Sequence, residues 1–312
     1  MSTKMREELF NELEGQGYKA RIVSIQHLRD LQEEIEGHYR HGLFDEEFYQ
    51  ERLAVFDFSP PTTLPGANSL IVVAVPQPQI RIVFTWNENP VPLIVPPTYL
   101  YWRDTDKEAE DALTETLAPA GYRVAQAALP KKLLAVRSAL GWYGRNNICY
   151  VPGMGSFHRL VAFYSDFPCQ EDSWRESEMM ERCQNCYACL HRCPTGAISS
   201  EPFLLRAERC LTFLNEKPRD IPFPTRIDPS WHNCLVGCLH CQRACPQNRD
   251  FLPWVEGDER FSEEETALLL ERVSPDRLPA ATAKKVERLD LVEYLDLLPR
   301  NLSAIFRRRD GL

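Results

Sequence analysis

The chain lacks a hydrophobic run long enough to cross a bilayer. Its longest, Leu70-Ile71-Val72-Val73-Ala74-Val75, falls far short of the roughly 20 apolar residues a membrane-spanning helix needs. It also lacks a surplus of positive charge. Lysines and arginines number 36 against 45 aspartates and glutamates, for a net charge of −9. Such a chain is a poor partner for a polyphosphate backbone, so nucleic acid is not the expected ligand. The basic run Arg307-Arg308-Arg309 reads as a solvated helix end, where cations favour the dipole. No clear internal period marks a repeat fold. No charged-then-apolar leader stands at Met1-Ser2-Thr3-Lys4-Met5.

Cysteine is what the chain has in quantity: 11 in 312 residues. Seven fall into two runs, Cys183-x2-Cys186-x2-Cys189-x3-Cys193-Pro194 and Cys238-x2-Cys241-x3-Cys245-Pro246. The first has the bacterial two-cluster ferredoxin spacing, in which the fourth cysteine ligates the other cluster. A zinc ribbon would want two CxxC pairs closed tetrahedrally, which the triple at x2 spacing does not offer. A disulfide framework belongs to short secreted chains. The runs therefore predict two 4Fe-4S clusters and single-electron chemistry. Free thiols with oxygen-labile clusters argue for a reducing, cytoplasmic setting. One takes Cys183, Cys186, Cys189 and Cys245. The other takes Cys193, Cys238, Cys241 and an eighth thiolate, which spacing leaves open between Cys210 and Cys234.

The remainder is of ordinary globular composition, 44% hydrophobic and 26% charged, enough for one large domain and one or two small ones. Residues 1–60 read as a helical amino-terminal segment, with Met5, Leu9 and Leu13 on one face. A short strand is expected at Ile22–Ile25, and helices at Ile25–Gly37 and Phe44–Phe56. Residues 61–175 alternate strands and helices. Leu70–Val75, Ile80–Thr85 and Val91–Val95 are strands, the last two paired, and Thr105–Leu117 is an amphipathic helix. Residues 176–255 hold the clusters, with Thr195-Gly196-Ala197-Ile198 expected as a turn into a strand. Residues 256–312 read as helices at Glu263–Val273, Ala280–Arg288, Leu291–Leu298 and Leu302–Arg307, packed in pairs. The expected class is α+β.

Three segments together resemble the epoxyqueuosine reductase family. Leu64-Pro65-Gly66-Ala67-Asn68-Ser69-Leu70-Ile71-Val72 is similar to its LPGARSVIV segment, and Ala139-Leu140-Gly141-Trp142-Tyr143-Gly144-Arg145-Asn146 to its GLGWIGKN loop. Cys189 to Ile198, Arg209-Cys210-Leu211 and Gly237-Cys238 to Pro246 resemble its double-cluster domain. The resemblance spans roughly residues 60–250 and puts a cysteine at Cys210 but not at Cys234. It implies a cobalamin-dependent reductase related to reductive dehalogenases, with a nitroreductase-like α/β domain cradling base-off cobalamin and a ferredoxin-like domain feeding it electrons. Gly141, Gly144, Gly153 and Gly155 would let backbone approach the macrocycle. Arg145, Asn146, Asn147 and Ser156 would hydrogen-bond its amides, and Trp142 and Tyr143 would pack on its face.

The chain departs from that pattern in one place that matters. The family carries an aspartate proton donor before the glycine loop, and a gapless count back from Gly141 puts Ala125 there. Alanine cannot act as a general acid, and the nearest replacement is Tyr143. The expected function is thus an iron–sulfur reductase with a non-tRNA, small-molecule substrate, reduced by a donor such as ferredoxin or flavodoxin. The alternatives are an electron-transfer protein that activates a corrinoid protein partner, and true epoxyqueuosine reduction in tRNA.

Overall fold

The computed structural model describes residues 2–200, 205–271 and 273–310. In chain order its elements are α1 (Ser2–Gly15), β1 (Lys19–Ser24), α2 (Leu28–Arg40), α3 (Glu46–Arg52), β2 (Ser69–Pro76), β3 (Gln79–Trp86), β4 (Asn89–Val95), α4 (Trp102–Leu117), β5 (Val124–Gln126), α5 (Lys131–Arg137), β6 (Trp142–Tyr143), β7 (Cys149–Tyr150) and β8 (His158–Ser165). There follow α6 (Ala188–Arg192), α7 (Leu211–Asn215), α8 (His240–Ala244), β9 (Val255–Phe261), α9 (Glu263–Leu270), α10 (Ala280–Arg288) and α11 (Leu298–Asp310). Two compact units result. The first comprises Met1–Pro76, Arg103–Tyr187 and Ser199–Leu205, the second Gln77–Trp102, Ala188–Ile198 and Arg206–Leu312. The class is α+β, as expected.

The first unit is a four-stranded sheet, ordered β1-β2-β8-β5, with helices on both faces. Every pairing in it is antiparallel. Strand β2 is central and buried from Ser69 to Val75, which is why its sequence runs apolar rather than alternating. Its side chains divide by parity. Leu70, Val72 and Ala74 face a core with Leu31 and Ile35 of α2 and Leu133, Leu134 and Val136 of α5. Ile71, Val73 and Val75 face Leu9 and Leu13 of α1 and Ala109, Ala112, Leu113 and Leu117 of α4. The expected stripe of α4 is therefore its buried stripe. The turn between Ile25 and His27 is 3-10 rather than α, capped by Ser24, and α2 starts only at Leu28.

The second unit is built on a three-stranded sheet ordered β4-β3-β9. Strands β3 and β4 form the expected hairpin. Its two-residue turn, Asn87-Glu88, has positive φ at both positions (49° and 62°), as a type I′ turn requires. Strand β9 pairs with β3 in parallel, with a bulge between Ile80 and Ile82. The tail does not pack as free helix pairs. Leu269 of α9, Val286 of α10, and Leu298, Leu302 and Ile305 of α11 join Ile80, Ile82, Phe84 and Phe261 in one core. Phe84 stacks on Phe261 at 5.1 Å and Trp86 on Phe306 at 4.8 Å. A capping box, Ser262 with Glu265, starts α9. Leu291–Tyr294 is a 3-10 turn where a helix to Leu298 was expected, and Ile198 makes a single bridge in place of a strand. The side chains of Arg308 and Arg309 lie outside the described residues.

Candidate iron–sulfur site

The second cysteine run sits wholly in the second unit. Helices α6 and α8 pack against each other. Each is five residues long and carries a cysteine of a CxxC spacing, Cys189 on α6 and Cys241 on α8. Cys193 ends the first run, and its Sγ lies 3.5 Å from the Thr195 hydroxyl. Cys210 is the residue just before α7. Burial raises its thiol pKa, while N–H groups of Thr212 and Phe213 and the Thr212 hydroxyl oppose the rise, and Cys193 adds to it. Burial likewise pushes the Cys238 thiol well up, and Cys234, Cys210 and Cys193 all act on it electrostatically. Thiols so raised are poor anions in the bare protein, but a coordinated metal deprotonates them outright.

Both contenders for the eighth position act electrostatically on Cys238. Cys210 is within electrostatic reach of both Cys193 and Cys238. Cys234 is fully buried beside Leu235 and Val236, and burial pushes its thiol up to about 12. Gly237 precedes Cys238 with φ of +68°, and a Cβ there would lie 2.8 Å from the Tyr99 ring. Asn215 donates to the Gly237 carbonyl at 2.8 Å. Among the described residues, no three His, Cys, Asp or Glu side chains gather as a single ion needs. A cubane instead spreads its four thiolates over the corners of a larger body.

Cys183 and Cys186, in the first unit, are organised from the glycine loop. Arg145 is 3% exposed. Its Nε donates to the Cys186 carbonyl at 3.0 Å, Nη1 to the Ser200 carbonyl at 2.8 Å, and Nη2 to the carbonyls of Cys183 at 2.8 Å and Gln184 at 3.2 Å. The guanidinium also lies 4.5 Å from the centre of the Tyr187 ring. Nothing in the spacing of the sequence signals this role.

The rest of the loop is equally engaged with itself. A Cβ on Gly141 would meet the Tyr150 carbonyl at 2.5 Å and Cys149 Sγ at 2.9 Å, and one on Gly144 would meet Asn146 and the Tyr150 ring. These glycines are thus explained by close packing against β7. Asn146 is buried, donates to the Tyr150 hydroxyl at 3.1 Å and accepts from the Ile148 N–H. Asn147 accepts from Lys132 at 3.1 Å. Trp142 lies under Arg175, 4.9 Å away. Gly153 and Gly155 have positive φ, and Ser156 is buried.

Tyr143 is buried, and its backbone bridges to the segment at Met179. Burial, with Cys149 and Glu34 nearby, raises its phenol far above the ordinary value, so it gives up a proton poorly. Ala125 lies on β5, paired with Tyr164. One further group was not anticipated: His158, first residue of β8. It is buried, one ring nitrogen bonds the Gly155 carbonyl, and Nδ1 has no partner. Burial pushes its pKa down to about 4, leaving a neutral imidazole with a bare acceptor.

Residues 182–248 match the family of 4Fe-4S double cluster binding domains. The epoxyqueuosine reductase of Pseudomonas aeruginosa is 32% identical over 154 residues, which are 49% of this chain and 41% of that protein. That of Escherichia coli is 35% identical over 126 residues, 40% of this chain and 32% of that protein. The chain thus spans less than half the length of the curated relatives it matches. The solved epoxyqueuosine reductase of Streptococcus thermophilus shares the fold, with a TM-score of 0.68 over 97% of this chain and 81% of that one at 16% identity. The Bacillus subtilis enzyme gives 0.66 over 98% and 82% at 22% identity.

Proposed function

We propose, from the premise that this chain is a relative of the epoxyqueuosine reductases with a double 4Fe-4S domain, that it is an iron–sulfur reductase. Two cubane clusters would take electrons singly from a donor such as ferredoxin or flavodoxin and pass them to an acceptor reduced by two. The observation that supports this reading is that Cys193, Cys210 and Cys238 lie in one unit, within electrostatic reach of one another, in a segment that matches a double-cluster domain. By the interleaved ferredoxin spacing, Cys241 would join them, and Cys183, Cys186, Cys189 and Cys245 would be the other ligand set.

A small-molecule substrate fits better than tRNA. Ala125 stands where the resemblance wants an acid, and the net charge of −9 works against a phosphate backbone. One solved relative is described with an epoxyqueuosine-modified tRNA stem loop, which keeps tRNA as the competing substrate. Cobalamin is the cofactor the resemblance implies, and when bound it would supply a strongly reducing metal centre. Four of the residues nominated to hold it are engaged elsewhere. Arg145 and Asn146 are committed to protein partners, and Gly141 and Gly144 face β7.

The deciding experiment is anaerobic reconstitution with iron, sulfide and hydroxocobalamin, followed by gel filtration. About eight irons per chain with a co-eluting corrinoid band would restore cobalamin and identify a reductase that works through it. About eight irons without corrinoid would leave the clusters as the sole redox groups and favour electron delivery to a partner. A chain that takes up no iron would overturn the reading altogether.

A further inference from the structure

We propose that Arg145 is a positioning residue for the first cluster: it holds the Cys183–Cys186 loop in shape and supplies the positive charge behind it. The inference rests on the double-cluster reading. Three of the four carbonyls that Arg145 binds belong to Cys183, Gln184 and Cys186, the loop that carries the first two thiolates. The fourth, from Ser200, lies beyond the cysteine run. A peptide plane holds C=O and N–H antiparallel. Fixing these carbonyls on the arginine side therefore fixes the opposite edges of the same planes, where N–H groups can face cluster sulfurs. Hydrogen bonds of that kind are among the levers that set a cluster's potential.

Charge supports the same role. The guanidinium is buried, and among the described residues no carboxylate pairs with it. A buried cation without a counter-charge is costly. A cubane with four thiolates is anionic and becomes more so on reduction, so the two compensate each other when the cluster is in place. Lysine stands at this position in the segment the chain resembles. A lysine is a point charge with three donors and cannot span four carbonyls with a planar fork.

The test is anaerobic reconstitution of wild type, Arg145→Gln, Arg145→Lys and Cys183→Ser, with iron counting, EPR of the reduced proteins and a redox titration. Cys183→Ser identifies which signal belongs to the first cluster. Arg145→Gln is expected to lose up to half of the iron, all from that cluster. Where the cluster is retained, its midpoint potential should fall while the second stays put. Arg145→Lys keeps the charge, so the potential should stay near wild type, but the first cluster should bleach several-fold faster in air. Unchanged iron, signals and potentials in Arg145→Gln would overturn the proposal, as would equal changes in both clusters. Should Arg145→Gln fail to fold, Arg145→Lys decides alone, and a wild-type bleaching rate refutes the clamp. If Cys183→Ser alters neither signal, the double-cluster reading falls and takes the proposal with it.

Discussion

A thiol at the start of a helix and a thiol in an apolar core differ in what ionising them costs. At Cys210 the N–H groups of Thr212 and Phe213 and the Thr212 hydroxyl oppose the rise that burial causes, whereas at Cys234 the Arg243 charge and the Leu239 N–H oppose it and burial still carries the thiol to about 12. Cys210→Ser is expected to remove up to half the bound iron or abolish one of two EPR signals, and Cys234→Ser to leave both intact. The reverse pattern would exchange the two assignments. His158 gives a pH prediction. Its pKa falls from 6.5 unfolded to about 4 folded, so the unfolded chain binds this proton first as pH drops. Stability is therefore full above pH 6.5 and declines down to about pH 4, by up to roughly 3 kcal/mol. Melting curves of His158→Asn should show a shallower loss over that window, and an identical slope would refute the assignment. At this scale the sequence was legible where spacing encodes chemistry, as in the cysteine runs. It was silent on Arg145 and His158, because a guanidinium or imidazole shows its role only through the partners the fold brings to it.

Glycine 237 links residue to element. Its positive φ and the 2.8 Å approach to Tyr99 leave no room for a methyl group. Gly237→Ala should destabilise the protein by roughly 1–3 kcal/mol, read as a drop of several degrees in the thermal melt, and should loosen the segment leading into Cys238. An unchanged melt would mean the Tyr99 ring moves aside freely. Elements with a strong period were readable: β2 from its unbroken apolar run, α4 from its stripe, the β3–β4 hairpin from two apolar stretches. Strand β9 was not. Val255-Glu256-Gly257-Asp258-Glu259-Arg260-Phe261 is largely exposed, and a polar edge strand has neither an apolar run nor a clean alternation to announce it. The 3-10 turn at Leu291–Tyr294 escaped for a related reason, since one turn of either helix places apolar residues alike.

For the molecule as a whole, charge and connectivity matter most. With a net charge of −9, binding of a labelled tRNA anticodon stem loop at 150 mM salt should be no tighter than the micromolar-or-weaker range of non-specific contacts. A sub-micromolar Kd that weakens steeply with salt would return tRNA to the front. The α+β class and the cluster segment were legible from the linear chain. The grouping of Gln77–Trp102 with the carboxy-terminal half was not, because these residues interrupt the first unit in sequence and pair with a strand that no local pattern announces.

That pairing has a consequence for how the chain is made. Phe84 must wait for Phe261, and translation at about 5–20 residues per second puts on the order of ten seconds or more between them. Through that interval the β3 edge and its apolar face emerge from the ribosome without their partner strand. Nascent protein is therefore open to edge-to-edge association for longer than its finished form suggests, and slower synthesis prolongs the exposure.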